Sequence, residues 1–178
     1  MTFADLMRLP HDENSGRIEL EAILAALPNT PWPVAMQFYA DHARKPDHQA
    51  CYGPLRLDTL SWELTGITAG QLALASTVTA FRRWFEAVAG RATHFEKDGW
   101  ACIDTRAEVC RQWARERTWL VSPVVLQGAV AGSASEFHVA EGHTRIGLLK
   151  GLVAAGVISP LSAHEVWLGR RRPTTEEG

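Results

Sequence analysis

The residue types most suited to chemistry stand together in residues 141–145, which read EGHTR. Residues 137–140 before them alternate apolar and polar side chains, which is the period of a half-buried strand. From residue 146 onward, apolar side chains recur every three or four positions, which is the period of a helix. The segment is therefore predicted to be a turn that joins a strand to the N-terminus of a helix.

A turn of this kind is suited to binding a phosphate. The first backbone N–H groups of a helix have no partner inside the helix, and the helix dipole adds partial positive charge at the same place. An arginine in the first turn adds a full charge. The candidate phosphate-binding residues are Gly142, His143, Thr144 and Arg145. The alternative is a purely structural turn, in which Arg145 pairs with Glu141 or Glu165.

These residues resemble the phosphate-binding motif of the ParB/sulfiredoxin superfamily, in which a strand leads into a Gly-x-x-Arg turn, a helix and a further strand. The flanks are similar too, because residues 123–126 (PVVL) resemble the strand before the motif and residues 163–168 (AHEVWL) resemble the strand after the helix. The resemblance covers about residues 119–170 and implies a ParB/sulfiredoxin-like α/β fold with a small mixed sheet and packed helices.

The resemblance also implies a ligand, namely a nucleotide such as ATP or CTP, or another phosphorylated molecule, with Mg²⁺ as the accompanying ion. The motif is most similar to the Gly-His-His-Arg form of free-standing members, which include nucleotide-dependent small-molecule kinases. By that resemblance Glu141 and His143 are the candidate catalytic residues, and Glu141 is a Mg²⁺ ligand or a proton acceptor. Binding alone, phosphoryl transfer and nucleotide hydrolysis all remain open.

Two branches of the superfamily match less well. Sulfiredoxins carry a reactive cysteine where this chain has His143, so cysteine chemistry is not expected. Partition proteins carry a glutamate and a second arginine where this chain has His143 and Thr144, and no helix-turn-helix pattern follows Arg170. CTP hydrolysis and sequence-specific DNA binding by the partition route are therefore not expected.

Two further interpretations remain open. A nucleotide-gated, DNA-associated protein requires a basic surface, for which residues 105–117 supply Arg106, Arg111 and Arg115. A protein-interaction module, homodimeric or with another partner, is favoured by the seven tryptophans, some of which could lie at a surface. Trp167 is a candidate for stacking on a base or for meeting the N-terminal helices.

Composition narrows these choices. The 178 residues are 46% hydrophobic, which is enough for one compact core, and the net charge of −2 provides no general attraction for nucleic acid. Three cysteines without a CxxC pair predict reduced thiols, and the spacing of His42, His48 and Cys51 is too incomplete to predict a metal site. Neither a signal peptide nor an apolar stretch of ~20 residues is seen, so a cytoplasmic protein without a membrane segment is predicted.

The remaining elements follow from capping patterns and periodicity. Predicted are a mobile arm or surface loop at 1–17, helices at 18–27 and 29–44, a loop at 45–64, one helix from Thr68 to Gly90, a connection or short strand at 94–103, a helix at 105–117, strands at 119–127, 137–140 and 163–168, and a helix at 143–155. Gly147 and Gly151 in the last helix predict close contact with neighbouring backbone. Residues 1–118 are assigned to a mainly helical N-terminal extension, 119–170 to the core and 171–178 to a solvated tail.

Overall fold

The computed structural model describes residues 1–173 and has a five-stranded mixed sheet with helices packed around it, which confirms the predicted α/β class. The strands are β1 (Leu60–Thr68), β2 (Ser76–Thr77), β3 (Val124–Gln127), β4 (Phe137–Glu141) and β5 (Ala163–Arg171). Their order is β1-β5-β3-β4-β2. Two neighbouring pairs are antiparallel, β1 with β5 and β3 with β4, and two are parallel, β3 with β5 and β2 with β4. Both edge strands therefore come from residues 1–118.

Eight α-helical segments accompany the sheet in the described part of the chain. They are α1 (Leu20–Ala26), α2 (Trp32–Val34), α3 (Pro46–Tyr52), α4 (Ala69–Ala73), α5 (Arg82–Gly90), α6 (Phe95–Asp98), α7 (Ala107–Glu116) and α8 (His143–Ala154). A π-helix, Ala35–Ala40, continues α2. Short 3-10 helices cover Ala4–Arg8, Leu57–Thr59, Thr79–Phe81, Arg91–His94 and Gly99–Cys102. The predicted helices at 18–27, 29–44 and 143–155 are confirmed, as are the strands at 137–140 and 163–168.

Two predictions for the N-terminal part are wrong. Residues 1–17 are not a mobile arm, because Phe3 and Leu6 are fully buried and a 3-10 helix forms between Ala4 and Arg8. The predicted loop at 45–64 contains α3 and most of β1. Pro46 begins α3 because its missing N–H costs nothing at the first helical position. Apolar and polar side chains alternate in β1 from Leu60 to Thr65, so the period of a strand is present, but Gly53 and Pro54 just before it favoured a loop.

Five other predictions also need correction. The capping box at Thr68 forms, but α4 ends at Ala73 and the chain then enters β2, so residues 68–90 are not one helix. The predicted strand at 119–127 begins only at Val124, and residues 94–103 are helical rather than strand. The capping box predicted at Thr105 does not form; instead the backbone N–H of Arg106 donates to Asp104. The predicted tail overlaps β5 at Arg171, and residues 174–178 lie outside the described part.

The core has two hydrophobic clusters that contact different residues of the same strands. One cluster joins α4, α5, α7 and α8 to side chains such as Val125 and Val139. The other joins the N-terminal helices to alternate residues of the sheet, including Val124 and Leu126. Trp167 packs against the second cluster, and its predicted contact with the N-terminal helices or with a base stays a prediction. The N-terminal segments therefore pack directly on the sheet that carries the EGHTR turn.

Close contact between α5 and α8 explains the two glycines inside α8. A Cβ on Gly151 would lie 2.1 Å from the carbonyl oxygen of Ala89, and a Cβ on Gly147 would lie 3.0 Å from that of Phe85. Real Cβ atoms essentially never approach backbone oxygen as closely as the first distance. The predicted approach of α8 to neighbouring backbone is confirmed, and it holds the helix that begins at the EGHTR turn.

Gly151→Ala should therefore lower the free energy of unfolding by about 1–3 kcal/mol, the usual range for overpacking, because α5 and α8 would have to separate. Urea denaturation followed by circular dichroism measures the change. Gly90→Ala is the matched control, because no heavy atom lies within 4 Å of its added Cβ. The control should be neutral or stabilising by up to ~1 kcal/mol through helix propensity. Equal stability of the two variants would contradict the packing argument.

Candidate functional site

The strand-to-helix turn forms where the sequence predicts it. Gly142 is the N-cap of α8 and has a φ of 91° and a ψ of 27°, in the left-handed region that favours glycine. A Cβ at this position would also lie 2.4 Å from the Cβ of Pro123. Glycine is thus required at this turn both by its backbone angles and by its contact with the segment before β3.

Arg145 fixes the turn through three hydrogen bonds. Its Nη1 donates to Oε1 of Gln37 at 3.0 Å and to the carbonyl oxygen of Val121 at 2.6 Å, and its Nη2 donates to the carboxylate of Glu141. The Arg145 and Glu141 side chains are only 22% and 19% exposed. A guanidinium has five N–H donors. Within residues 1–173, the Nε–H and one Nη2–H of Arg145 have no partner, so they remain available to a ligand.

The turn forms part of the wall of a cavity of about 690 Å³. All five residues 141–145 line it, so the structure brings the predicted site residues together. The other walls come from the segment that leads into α3, from the start of α5, from α7 with the residues before it, and from residues 119–121. The N-terminal part of the chain therefore supplies one complete wall of the site.

Charged groups of both signs line this cavity. The basic residues are Lys45, Arg106 and Arg145, and the acidic residues are Asp47, Asp104 and Glu141. Two of the three basic groups pair with an acidic group of the same wall, because Arg106 lies 2.8 Å from Asp104 and Arg145 binds Glu141. The hydrogen bond from Arg106 lowers the pKa of Asp104. The lining has no large net charge, so the position of individual donors decides what can bind.

Four rings form a continuous row along the cavity wall, which we call the ring row: His42, His48, Phe81 and His143. The rings of His42 and His48 are stacked, with centroids 4.4 Å apart and planes 3° apart. Phe81 lies between the other two, 5.3 Å from His48 and 4.8 Å from His143. In the sequence, the spacing of His42, His48 and Cys51 suggested only an incomplete metal site. Nothing in that spacing indicated that His42 and His48 would lie in one row with His143.

The histidines of the ring row carry buried nitrogens without partners. His48 is 1% exposed, and neither of its ring nitrogens has a hydrogen-bond partner within residues 1–173; the same holds for Nδ1 of His42 and Nε2 of His143. Burial lowers the pKa of His48 and His143 to about 3 and that of His42 to about 4. These imidazoles are therefore neutral at pH 7, and each neutral ring offers one N–H donor and one acceptor nitrogen.

His138 belongs to a different network. Its Nε2 lies 2.8 Å from the hydroxyl of Tyr52 and its Nδ1 lies 2.8 Å from Oγ of Ser76, so both ring nitrogens have partners. Burial lowers its pKa to about 4. This histidine ties β4 to α3 and to β2, and it does not line the cavity.

Thr144 and Trp84 connect the turn to α5. The indole Nε1 of Trp84 donates to Oγ1 of Thr144 at 3.3 Å, and Trp84, which lines the cavity, is 49% exposed.

The positive charge of α7 is partly neutralised by neighbouring groups. Arg115 lies 2.5 Å from Glu116, and the Arg117 guanidinium lies 4.9 Å from the centre of the Trp100 ring.

The residues present do not by themselves form a Mg²⁺ site. Across residues 1–173, no group of three His, Cys, Asp or Glu side chains stands close enough to hold a metal ion. Glu141, the predicted ligand, is bound to Arg145, and Asp104 is bound to Arg106.

Comparisons of the chain with protein-family models, with curated proteins and with solved structures found no match. None of the helices described here is both long enough and apolar enough to span a bilayer.

The buried histidines predict a loss of stability between pH 7 and pH 5. Five histidines have lowered pKa values: His42, His48, His138, His143 and His164. The histidines of the unfolded chain have pKa values near 6.5, so they bind protons in this window, whereas the buried histidines of the folded chain do not. The free energy of unfolding therefore falls as the pH falls. Near pH 5 the slope should reach about 1 kcal/mol per pH unit for each of the four histidines whose pKa falls to about 3 or 4, namely His42, His48, His138 and His143.

Urea denaturation at pH 7, 6 and 5 measures this dependence. His48→Phe keeps a ring of similar shape and should reduce the slope by the contribution of one histidine. His94→Phe, which replaces an exposed histidine that does not line the cavity, is the control and should leave the slope unchanged. A flat profile in the unmodified protein would show that the histidines are protonated equally in both states.

Proposed function

We propose that this protein binds a nucleotide or another phosphorylated small molecule in the cavity, with the phosphate at residues 142–145. The observation that carries the proposal is the meeting of three anion-binding features at one cavity wall. These are the N-terminus of α8, a twelve-residue helix, the glycine turn that exposes it, and the guanidinium of Arg145. A cavity of about 690 Å³ is within the range that small-molecule sites occupy.

The donors at the turn favour a phosphate over an uncharged group. The backbone N–H groups of His143, Thr144 and Arg145 lie in the first helical turn, where no intrahelical carbonyl can accept from them. Two N–H donors of Arg145 remain beyond its bonds to Glu141, Gln37 and Val121. Charge-assisted hydrogen bonds of this kind are about twice as strong as neutral ones. A phosphate can therefore gain several bonds without breaking the ion pair that fixes the turn.

The order of elements around the turn also supports the proposal. The chain runs through β3, a loop, β4, the Gly-x-x-Arg turn, α8 and then β5. This succession agrees with the strand, turn, helix and strand pattern on which the resemblance to the ParB/sulfiredoxin superfamily rests. That resemblance favours ATP or CTP among the phosphorylated ligands.

The proposal is limited to binding. Glu141 would have to leave Arg145 before it could accept a proton or hold an ion, and Nε2 of His143 is buried. Phosphoryl transfer or hydrolysis by these two residues is therefore a separate question, which is answered by assaying phosphate release once a ligand is known.

Thermal unfolding with ATP, CTP, GTP, ADP or inorganic phosphate, each with and without Mg²⁺, tests the proposal. Binding to the folded state raises the midpoint in proportion to the logarithm of ligand concentration over Kd. Arg145→Ala should weaken binding by the ~1.5–3 kcal/mol typical of a hydrogen bond to a charged group, which is about 10- to 150-fold in Kd.

The matched control is Arg111→Ala, because Arg111 is exposed and does not line the cavity. It should bind as the unmodified protein does. Arg145→Lys keeps the charge without the forked guanidinium and should bind with intermediate affinity. Circular dichroism of each variant shows whether the fold is retained. Equal midpoint shifts in Arg145→Ala and Arg111→Ala would exclude the turn as the phosphate site.

A further inference from the structure

The ring row of His42, His48, Phe81 and His143 has a surplus of unpaired polar atoms that the proposed phosphate site does not explain. Four buried nitrogens in three imidazoles lack partners among residues 1–173. Each buried polar atom without a hydrogen bond destabilises the folded state. Because His42, His48 and His143 all line this cavity, a ligand that enters it can supply these partners once the rings turn toward it.

The chemistry of the ring row suits an uncharged ring better than a phosphate. Neutral imidazoles have donor and acceptor nitrogens, so they match a group that itself carries both. A phosphate against them would favour their protonation, whereas Lys45 lies close enough to His42 and His48 to oppose it, and Arg145 opposes it at His143. The phosphate is thus better accommodated at the backbone N–H groups of the turn than at the rings.

The row also offers aromatic faces. Phe81 separates His48 from His143, with ring centres 5.3 Å and 4.8 Å away. Trp84, three residues later, also lines the cavity and is 49% exposed. Aromatic rings at such separations stack or meet edge to face favourably. A planar heterocycle would satisfy both the faces and the nitrogens of this wall.

We propose that the ring row is the subsite for the heterocyclic base of the bound nucleotide, held by hydrogen bonds to His48 and His42 and by contact with Phe81. This inference rests on the proposed function and deepens it. The two subsites meet at His143, which ends the ring row and begins α8. The N-terminal part of the chain, which supplies His42 and His48, thereby selects the base, while residues 142–145 hold the phosphate.

Isothermal titration calorimetry with three kinds of probe tests the division into subsites. The probes are the triphosphates ATP, CTP, GTP and UTP, the corresponding nucleosides, and tripolyphosphate, which has no base. In the unmodified protein at least one triphosphate should bind about tenfold more tightly than tripolyphosphate. His48→Phe keeps an aromatic ring but removes both nitrogens. This variant should bind that nucleoside triphosphate about tenfold less tightly, while its affinity for tripolyphosphate stays unchanged.

A second readout separates ligand recognition from a merely structural role. His48→Phe removes two unpaired buried nitrogens, so without ligand it should unfold at the same or a higher urea concentration than the unmodified protein at pH 7. A structural role alone predicts lower stability and unchanged base selectivity. His42→Phe is the second variant if His48→Phe does not fold, and His94→Phe is the control that should alter neither property.

The outcomes distinguish failure of this inference from failure of the proposed function. If triphosphates and tripolyphosphate bind equally and His48→Phe changes neither, the phosphate site stands and the base subsite is overturned. If neither binds, or if Arg145→Ala binds both normally, the proposed function fails and the base subsite fails with it. Loss of base selectivity in His48→Phe, with about 10- to 150-fold weaker binding of nucleoside triphosphate and tripolyphosphate in Arg145→Ala, supports both.

Discussion

The guanidinium of Arg145 is the interaction on which the rest of the site depends. It joins three segments that are far apart in the chain: the π-helix through Gln37, the approach to β3 through Val121, and the end of β4 through Glu141. These bonds hold the start of α8 against the segment that enters the sheet. Because both partners of the ion pair are largely buried, the turn keeps one geometry, and the cavity wall is formed before a ligand arrives.

The paired charges of the cavity lining fix its geometry and leave little net charge to attract a ligand. Most charges of the cavity lining are paired with each other, so the proposed binding of an anion depends on oriented donors rather than on a positive field. The glycines of α8 also help to fix the geometry of the cavity, because the close packing of α8 on α5 leaves the helix little freedom to tilt away from it. The N-terminal segments complete the cavity from the other side of the turn, with the neutral imidazoles of His42 and His48 beside the charged Lys45 and Asp47.

Local patterns allowed part of the fold to be predicted. The strand-to-helix turn at 141–145 could be read from two periodicities and a glycine, because each depends on neighbours within a few residues. β1 also has such a period, with the apolar residues Leu60, Trp62 and Leu64, but Gly53 and Pro54 just before it favoured a loop over residues 45–64. The helix predicted from Thr68 to Gly90 fails for a different reason. Its capping box is real, but pairing of Ser76 and Thr77 with β4 interrupts the helical pattern, and that pairing partner lies about 60 residues away.

For the site itself, the sequence determined which residues could stand at the turn. Gly142 is required by its positive φ, and the helix that follows must present free N–H groups whatever surrounds it. Tertiary structure alone decided the rest. Arg145 bonds to Gln37 across 108 residues, and His48 loses solvent, partners and basicity only when α3 packs near Phe81 and α8. Such properties arise from contacts between distant segments, which the order of residues along the chain does not encode locally.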